Sequence, residues 1–405
     1  MMPRSELILN PLLISTAAPP IPEAKAWAAR YGDSAGPLID LSQAVPGYPP
    51  HPDLLERLGE AARSREAAAY GDILGDAPLR SAYATDVSAL YDARIRPENV
   101  AITAGCNQAF FVTAIALAKA GDAVMLPTPW YFNHKMALDM LGIEAVALPC
   151  RAENGFVPDA DDARRHLSES VRAIVLVTPN NPTGAVYPPE TIAAFRDLCA
   201  ERNIPLVLDE TYRDFMAKAA PPHDCLAGPD WAKTVVQLYS FSKAYCIPGH
   251  RAGAIVADAK MLAETAKIID TLQICAPRVP QMVLPWAIEA LRDWRETNRQ
   301  EIAGRAAAFS RAIDALDGWS IGSIGAYFAY VAHPFRDRSD AEICEWLAAE
   351  RGVLCLPGGY FGPSQDGFLR VAFANVDVSA IAQIPARLAE GSIALGAASR
   401  VQAHR

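Results

Sequence analysis

The segment Ser240–Gly253, SFSKAYCIPGHRAG, carries the side chains best suited to covalent chemistry. Lys243 follows the apolar run VVQLY, so its amine sits where a buried strand ends. Ser240 and Ser242 flank it, and Arg251 follows eight residues later. A lysine withdrawn from water beside a second cation gives up its proton easily. The free amine is then a nucleophile for a carbonyl group, as Schiff-base chemistry needs. Most lysines, by contrast, are solvated surface groups.

Four further segments offer complementary chemistry. In AITAGCNQAFF (Ala101–Phe111) a strand ends at Thr103, Gly105 turns the chain and a helix starts near Asn107. The amides at such a start bind phosphate, although many ordinary strand-to-helix turns share the pattern. TPNNPTG (Thr178–Gly184) is a loop fixed by two prolines and a glycine, with two asparagine amides as donors. PLVLDETY (Pro205–Tyr212) ends an apolar run with Asp209. A carboxylate there needs a partner, either a protonated pyridine nitrogen or the N-terminus of a following helix. FLRVAFAN (Phe368–Asn375) sets Arg370 inside an apolar strand, where it serves a structural ion pair or forks a carboxylate.

These segments need elements to hold them. Short apolar runs predict strands at Val100–Thr103, Ala123–Leu126, Ala173–Val177, Pro205–Leu208, Val235–Tyr239 and Gly253–Val256. Helical patterns lie between them, as in Gln108–Ala118, Pro189–Glu201 and Met261–Thr271. Buried strands alternating with helices imply crossover units and a mostly parallel sheet. One long helix is expected over Pro285–Leu316, bridging to an α+β segment. That segment has strands near Ala326–Val331 and Phe368–Ala374, and helices Ala341–Glu350 and Val378–Ala389. The apolar stretch Leu7–Ile14 reads as an arm that packs on something. The last residues, from about Gly396, read as frayed.

The chain has 405 residues, half of them hydrophobic and a fifth charged, with a net charge of −9. That is a globular composition with room for two or three domains. The acidic balance argues against nucleic acid as a partner. No run approaches the ~18 apolar residues of a membrane span, and no membrane partner is expected. Eight dispersed cysteines form no C-x-x-C pair, so no metal site is expected, and the thiols suit a cytoplasmic protein.

Taken in order, the five segments resemble the pyridoxal-phosphate aminotransferases of class I/II, fold type I, near the aspartate and aromatic aminotransferases. The likeness runs from about Leu41 to about Asn375 and rests on S-x-S-K-x(7)-R, N-P-T-G and D-x-x-Y. It implies a three-layer α/β/α fold with a second, smaller α+β unit. The corresponding division is an arm at 1–50 shared with the small unit, a cofactor-binding unit at 51–290 and a small unit at 291–405. It implies pyridoxal 5'-phosphate as cofactor, and amino acids and 2-oxo acids as substrates. The resemblance gives Lys243 the Schiff base and proton transfer, Asp209 the pyridinium nitrogen, and Tyr212 and Asn181 the ring oxygen. Tyr131 would stack on the ring, with Trp130 as the alternative register. The phosphate would fall to Gly105, Cys106, Asn107, Ser240, Ser242 and Arg251, and to Tyr70 of a partner subunit. Arg370, with Asn181, would fork the substrate carboxylate, and His134 would support Asp209. A homodimer with shared sites follows.

Three positions depart from the family's pattern. Ala44 stands where a glycine is usual, near the substrate carboxylate, and its methyl narrows the approach. The loop ICAPRVPQ carries Arg278 where a serine- or threonine-rich segment is expected. Arg278 is thereby a candidate for the phosphate, for an acidic substrate side chain, or for the subunit interface alone. Cys106 and Asn107 stand in the phosphate loop, where backbone amides do the binding. The arm, the GYPPHP stretch (Gly47–Pro52) and the loop at Tyr360–Phe361 are expected to shape the side-chain pocket, and their composition suits an apolar or aromatic substrate. The function implied is ping-pong transamination. The alternatives are a lyase or oxidase working through the same Cα carbanion, or a non-enzymatic sensor domain. The last would need a DNA-binding segment, and only about 40 residues precede the likeness.

Overall fold

Runs of valine, isoleucine, leucine and alanine, too short for helices, become the strands of a central sheet. The computed structural model describes residues 7–217 and 221–389. The first part holds α1 (Pro11–Ser15), α2 (Pro20–Ala28), β1 (Ile39–Asp40), α3 (Pro52–Ala62) and α4 (Ala77–Tyr91). Then strands and helices alternate through β2 (Val100–Thr103), α5 (Cys106–Leu117), β3 (Ala123–Thr128), α6 (Phe132–Leu141) and β4 (Glu144–Pro149). They continue as α7 (Ala160–His166), β5 (Val171–Val177), α8 (Pro189–Arg202), β6 (Leu206–Asp209), β7 (Val235–Ser240), α9 (Phe241–Ala244), β8 (Gly253–Val256) and α10 (Ala259–Gln273). The remainder comprises α11 (Arg278–Ala290), α12 (Arg292–Asp314), β9 (Ser320–Gly325), β10 (Phe328–Ala332), α13 (Asp340–Arg351), β11 (Val353–Leu354), β12 (Leu356–Pro357), β13 (Phe368–Val371) and α14 (Val378–Ile381).

The central sheet runs β2-β8-β7-β6-β5-β3-β4, parallel except for β8, which opposes both neighbours. Alternate side chains of each strand enter two different cores. Ala101, Val124, Val175, Val207 and Leu238 pack with the α5, α6 and α10 face. Ile102, Met125, Ile174, Leu208 and Tyr239 pack with the α4, α8 and α11 face. Two buried faces leave no polar stripe, which is why the strands read as continuous apolar runs. The carboxyl ends of β2, β5, β6 and β7 share one edge with the start of β8, since Gly253 pairs with both Thr103 and Ser240. Ligands of open α/β sheets bind at that edge.

A second sheet, β12-β13-β10-β9, is antiparallel, and β1 pairs in parallel with β11. The helix expected as one piece over Pro285–Leu316 is two, with the break at Leu291. Leu291 leaves helical geometry at φ −102° and ψ 20° while its side chain stays buried, so tertiary packing overrides local propensity. The expected helix Val378–Ala389 likewise stops at Ile381 and resumes at 384–389. Edge strand β4 is not among the strands expected from apolar runs; three of its six residues are half-buried and two are exposed. Helix α1 packs on α6, yet Leu7, Ile8 and Ile14 remain exposed. The tail expected to fray lies outside the described residues.

Candidate active site

The sheet edge and the second sheet enclose a cleft of about 400 Å³. Lys243 enters it from α9, one turn beyond the end of β7, and its Nζ donates to the carbonyl of Ala44. Burial, and then Arg251 and Arg370, push its pKa down to about 8. Asp209 ends β6 and is 3 % exposed. Its Oδ1 accepts from the amide of Thr211 at 3.1 Å and from its hydroxyl at 2.7 Å. His134 Nε2 lies 3.2 Å from Oδ2, out of line for a full hydrogen bond, and the imidazole stacks on Phe110 at 3.8 Å. Burial alone would raise the Asp209 carboxyl, but His134 and Thr211 outweigh it and hold the group below its ordinary value. It stays ionised.

At one end of the cleft, Gly105 adopts φ +87° before the first turn of α5. That backbone favours glycine, and a Cβ there would also run into the Arg251 guanidinium. Arg251 donates to the carbonyls of Pro248 at 3.0 Å and Ala104 at 3.1 Å. Ser240 and Ser242 line the same end, with the Ser240 hydroxyl accepting from the Ser242 amide at 3.2 Å. Helix-start amides, hydroxyls and a guanidinium suit an anion.

Arg370 reaches the cleft from β13 and is 2 % exposed. Its Nη1 donates to Asn181 Oδ1 at 3.3 Å, while Nε and Nη2 have no hydrogen-bond partner among the described residues. Burial lowers its pKa to about 10, so it remains a cation at neutral pH. Phe328 and Phe361 lie within about 5 Å of the guanidinium. Tyr131 and Tyr212 also line the cleft. The Tyr131 hydroxyl donates to Asn107 Oδ1 at 3.3 Å, and burial pushes its pKa to about 12. Trp130 does not line the cleft; its amide instead donates to the Phe361 carbonyl at 2.8 Å.

The structure thus brings Lys243, Asp209, Tyr212, Cys106, Asn107, Tyr131, Asn181, Ser240, Ser242, Arg251, Arg370 and Ala44 around one cleft, with Gly105 against Arg251. Tyr70 and Arg278 lie elsewhere in the same chain. Tyr70 is 76 % exposed. Arg278 is tied to Asp76 at 2.9 Å, to Glu66 at 3.5 Å and to the carbonyls of Ala69 and Tyr70. Within one chain it therefore clamps the loop that carries Tyr70. The Gly47–Pro52 stretch does not line the cleft. A Cβ on Gly47 would meet the carbonyls of Ala374 and Asn375, and Tyr48 packs edge-on to Trp294. Sequence reasoning missed Gln43, Phe132, Asn133 and Thr211 as lining residues. Only Thr211 left a signal, a hydroxyl two residues beyond Asp209 that can turn back on it.

This architecture is that of the aspartate aminotransferase-like α/β fold. A Thermus thermophilus aspartate aminotransferase double mutant superposes with a TM-score of 0.87 over 95 % of this chain and all of that one, at 23 % identity. Residues 36–388 match the family model of aminotransferase class I and II. An aromatic aminotransferase of Arabidopsis thaliana is 29 % identical, covering 87 % of this chain and 89 % of the relative. A valine–pyruvate aminotransferase of Mycobacterium tuberculosis is 28 % identical, covering 89 % and 94 %. A capreomycidine synthase of Streptomyces vinaceus is 33 % identical, covering 75 % and 76 %. The chain belongs to the class I and II aminotransferases, and it is a transaminase.

Proposed function

We propose that this transaminase holds pyridoxal 5'-phosphate on Lys243 and moves the amino group of a neutral, apolar or aromatic L-amino acid to a 2-oxo acid. The cleft fits such a cofactor. It pairs a buried carboxylate, Asp209, with an anion end made by Gly105, Cys106, Asn107, Ser240, Ser242 and Arg251, and a lysine lines the same cleft. When bound, the cofactor supplies an aldehyde for the amino group and a protonated ring that takes up the electrons of the broken Cα–H bond. Asp209, ionised and braced by Thr211 and His134, keeps the ring nitrogen protonated. Tyr212 and Asn181 orient the ring oxygen, and Tyr131 covers one face. Lys243 Nζ would take the proton from the substrate Cα and deliver it to the carbon that had carried the cofactor's aldehyde, so that the proton lost at one carbon is gained at the other. Its lowered pKa suits a base at neutral pH.

The observation that carries the reading is Arg370. It is a buried guanidinium that lines the cleft Lys243 enters, with two nitrogens that have no partner among the described residues. An α-carboxylate supplies the missing acceptors in bidentate form. The substrate class follows from the rest of the wall. Lys243, Arg251 and Arg370 are the cations among the described lining residues, and each has a task. Pro19, Ile21 and Phe132 offer apolar surface, and no further cation among those residues meets a side-chain carboxylate. The same reading makes residues 51–290 the cofactor-binding unit and 291–405, with part of 1–50, the small unit. It also makes the enzyme a cytoplasmic homodimer, supported by eight free thiols and by Tyr70 projecting from its own chain.

Half-reaction spectroscopy on purified holoenzyme tests this. Phenylalanine or leucine should convert the bound cofactor to its amine form far faster than aspartate, and a 2-oxo acid should reverse the change. Release of ammonia with no oxo-acid acceptor would overturn transamination. A preference for aspartate would overturn the substrate class alone.

A further inference from the structure

Asn375 has no part in the reaction proposed above and does not line the cofactor cleft. Its side-chain amide is nevertheless committed to one wall of that cleft. Oδ1 accepts from the Val45 amide at 2.9 Å, and Nδ2 donates to the carbonyls of Gln43 at 2.6 Å and Asp40 at 3.1 Å. An asparagine amide has two donor hydrogens, and both are used here. Between the bonded residues stands Ala44, which lines the cleft beside Gln43 and whose carbonyl accepts from Lys243 Nζ.

Residues 41–47 form neither helix nor strand, so no backbone ladder fixes them. Their first part is held locally. The Ser42 amide and hydroxyl turn back on Asp40 Oδ1 at 2.9 and 2.6 Å, and the Leu41 carbonyl accepts from the Ala372 amide at 2.9 Å. Among the described residues, the hydrogen bonds of 43–45 go to Asn375 and Lys243 alone. Asn375 is itself anchored. Val371, Ala372, Phe373 and Ala374, which separate it from Arg370, are all buried. Phe373 stacks on Phe309 at 5.9 Å, and the Ala374 carbonyl accepts from Arg305 Nη1 at 2.7 Å. Both of those partners belong to α12. A buried spacer thus fixes Asn375 relative to Arg370, and Asn375 fixes the loop that holds Lys243.

We propose that Asn375 is a positioning residue of the active site: it registers the Gln43–Val45 loop against Arg370, which keeps the Ala44 carbonyl on Lys243 Nζ and gives the substrate carboxylate a wall of fixed position. The substrate part rests on the roles assigned above to Lys243 and Arg370. A carbonyl that accepts from an ammonium group favours its charged form. Burial, Arg251 and Arg370 act against that form, and Cys246 acts for it. Once the loop drifts, Lys243 loses its acceptor and gives up its proton more easily still.

The titration of Lys243 in the full-length apoenzyme tests this with neither cofactor nor turnover. Trace acetylation with acetic anhydride across pH, read at the Lys243 peptide by mass spectrometry, follows the free amine. Asn375→Leu is similar in size and has no donor or acceptor. It should lower the midpoint from about 8 by about half a pH unit or more. In holoenzyme it should raise KM for the amino acid about fivefold or more, with kcat changed less than about twofold. Phe309→Leu loosens the same spacer but keeps the three Asn375 bonds, so it should lower Tm and leave the midpoint and KM where they were. If Asn375→Leu does not fold, Asn375→Ser, polar but too short to bridge Val45 and Gln43 together, should give the same readings. A midpoint that stays or rises would overturn the proposal, as would an equal fall in Phe309→Leu. An unchanged KM would overturn the part concerning the substrate carboxylate. A parent enzyme that transfers no amino group would instead overturn the proposed function, and the acetylation result would still decide whether Asn375 positions Lys243.

Discussion

Lys243 and Arg370 are two cations with opposite requirements. In the proposed reaction Lys243 must lose its proton to react, and Arg370 must keep its charge to bind. Burial lowers both pKa values, to about 8 and about 10, and only the lysine crosses toward the working range. Below pH 8 most of the apoenzyme's amine is protonated and only a minor fraction is reactive; above it the amine is largely free. The rate at which apoenzyme takes up pyridoxal phosphate should therefore rise with pH to a midpoint near 8. Stopped-flow absorbance checks this, and a midpoint near the ordinary lysine value of 10.5 would contradict it. Lys243→Ala should lose the absorption of the covalently held cofactor and about a thousandfold or more in turnover. Arg370→Lys keeps the charge but loses the planar fork. It should raise KM for the amino acid about 10- to 100-fold, from ~1.5–3 kcal/mol of charge-assisted hydrogen bonding, with a smaller change in kcat.

The elements explain why those side chains converge. Asp209, Ser240 and the 105–107 amides are fixed by the ends of neighbouring strands, and Arg251 by the entry to β8. The contact between the two sheets is equally demanding. Gly184, at φ +76°, lies against Gly325, so that a Cβ would sit 2.5 Å from the Gly325 nitrogen. Gly184→Ala should cost about 1–3 kcal/mol through strain and collision, seen as a lowered Tm. Gly304, exposed on α12, should behave oppositely, because a methyl group there would meet nothing within 4 Å. Gly304→Ala should stabilise by about 0.5–1 kcal/mol, read as a raised Tm. Six central strands were legible from composition, because both faces of the sheet are buried. Strands β4 and β9, edge strands with only one buried residue between them, were not.

At the scale of the whole molecule, Arg278 clamps the Tyr70 loop, and Tyr70 is exposed and does not line its own cleft. The shared-site reading gives it to a second copy. Light scattering should find twice 43.6 kDa. In the dimer, Tyr70→Ala should weaken cofactor retention while Lys243 still reacts. A fully active monomer would sink that reading.

The sequence by itself determined the six central strands with both faces buried, and it singled out Lys243, Asp209, Asn181 and Arg370, which share one cleft. Those depend on local rules: an apolar run, a turn residue, a polar group at fixed spacing. It could not determine that Pro19, Ile21 and Phe132 face the same space as Arg370, nor that Arg278 turns to Asp76 and Glu66. Nor could it show that Asn375 reaches Val45 and Gln43. Each of those is settled by residues far apart in the chain, whose approach depends on how the sheets and α12 pack and not on any pattern within a single segment.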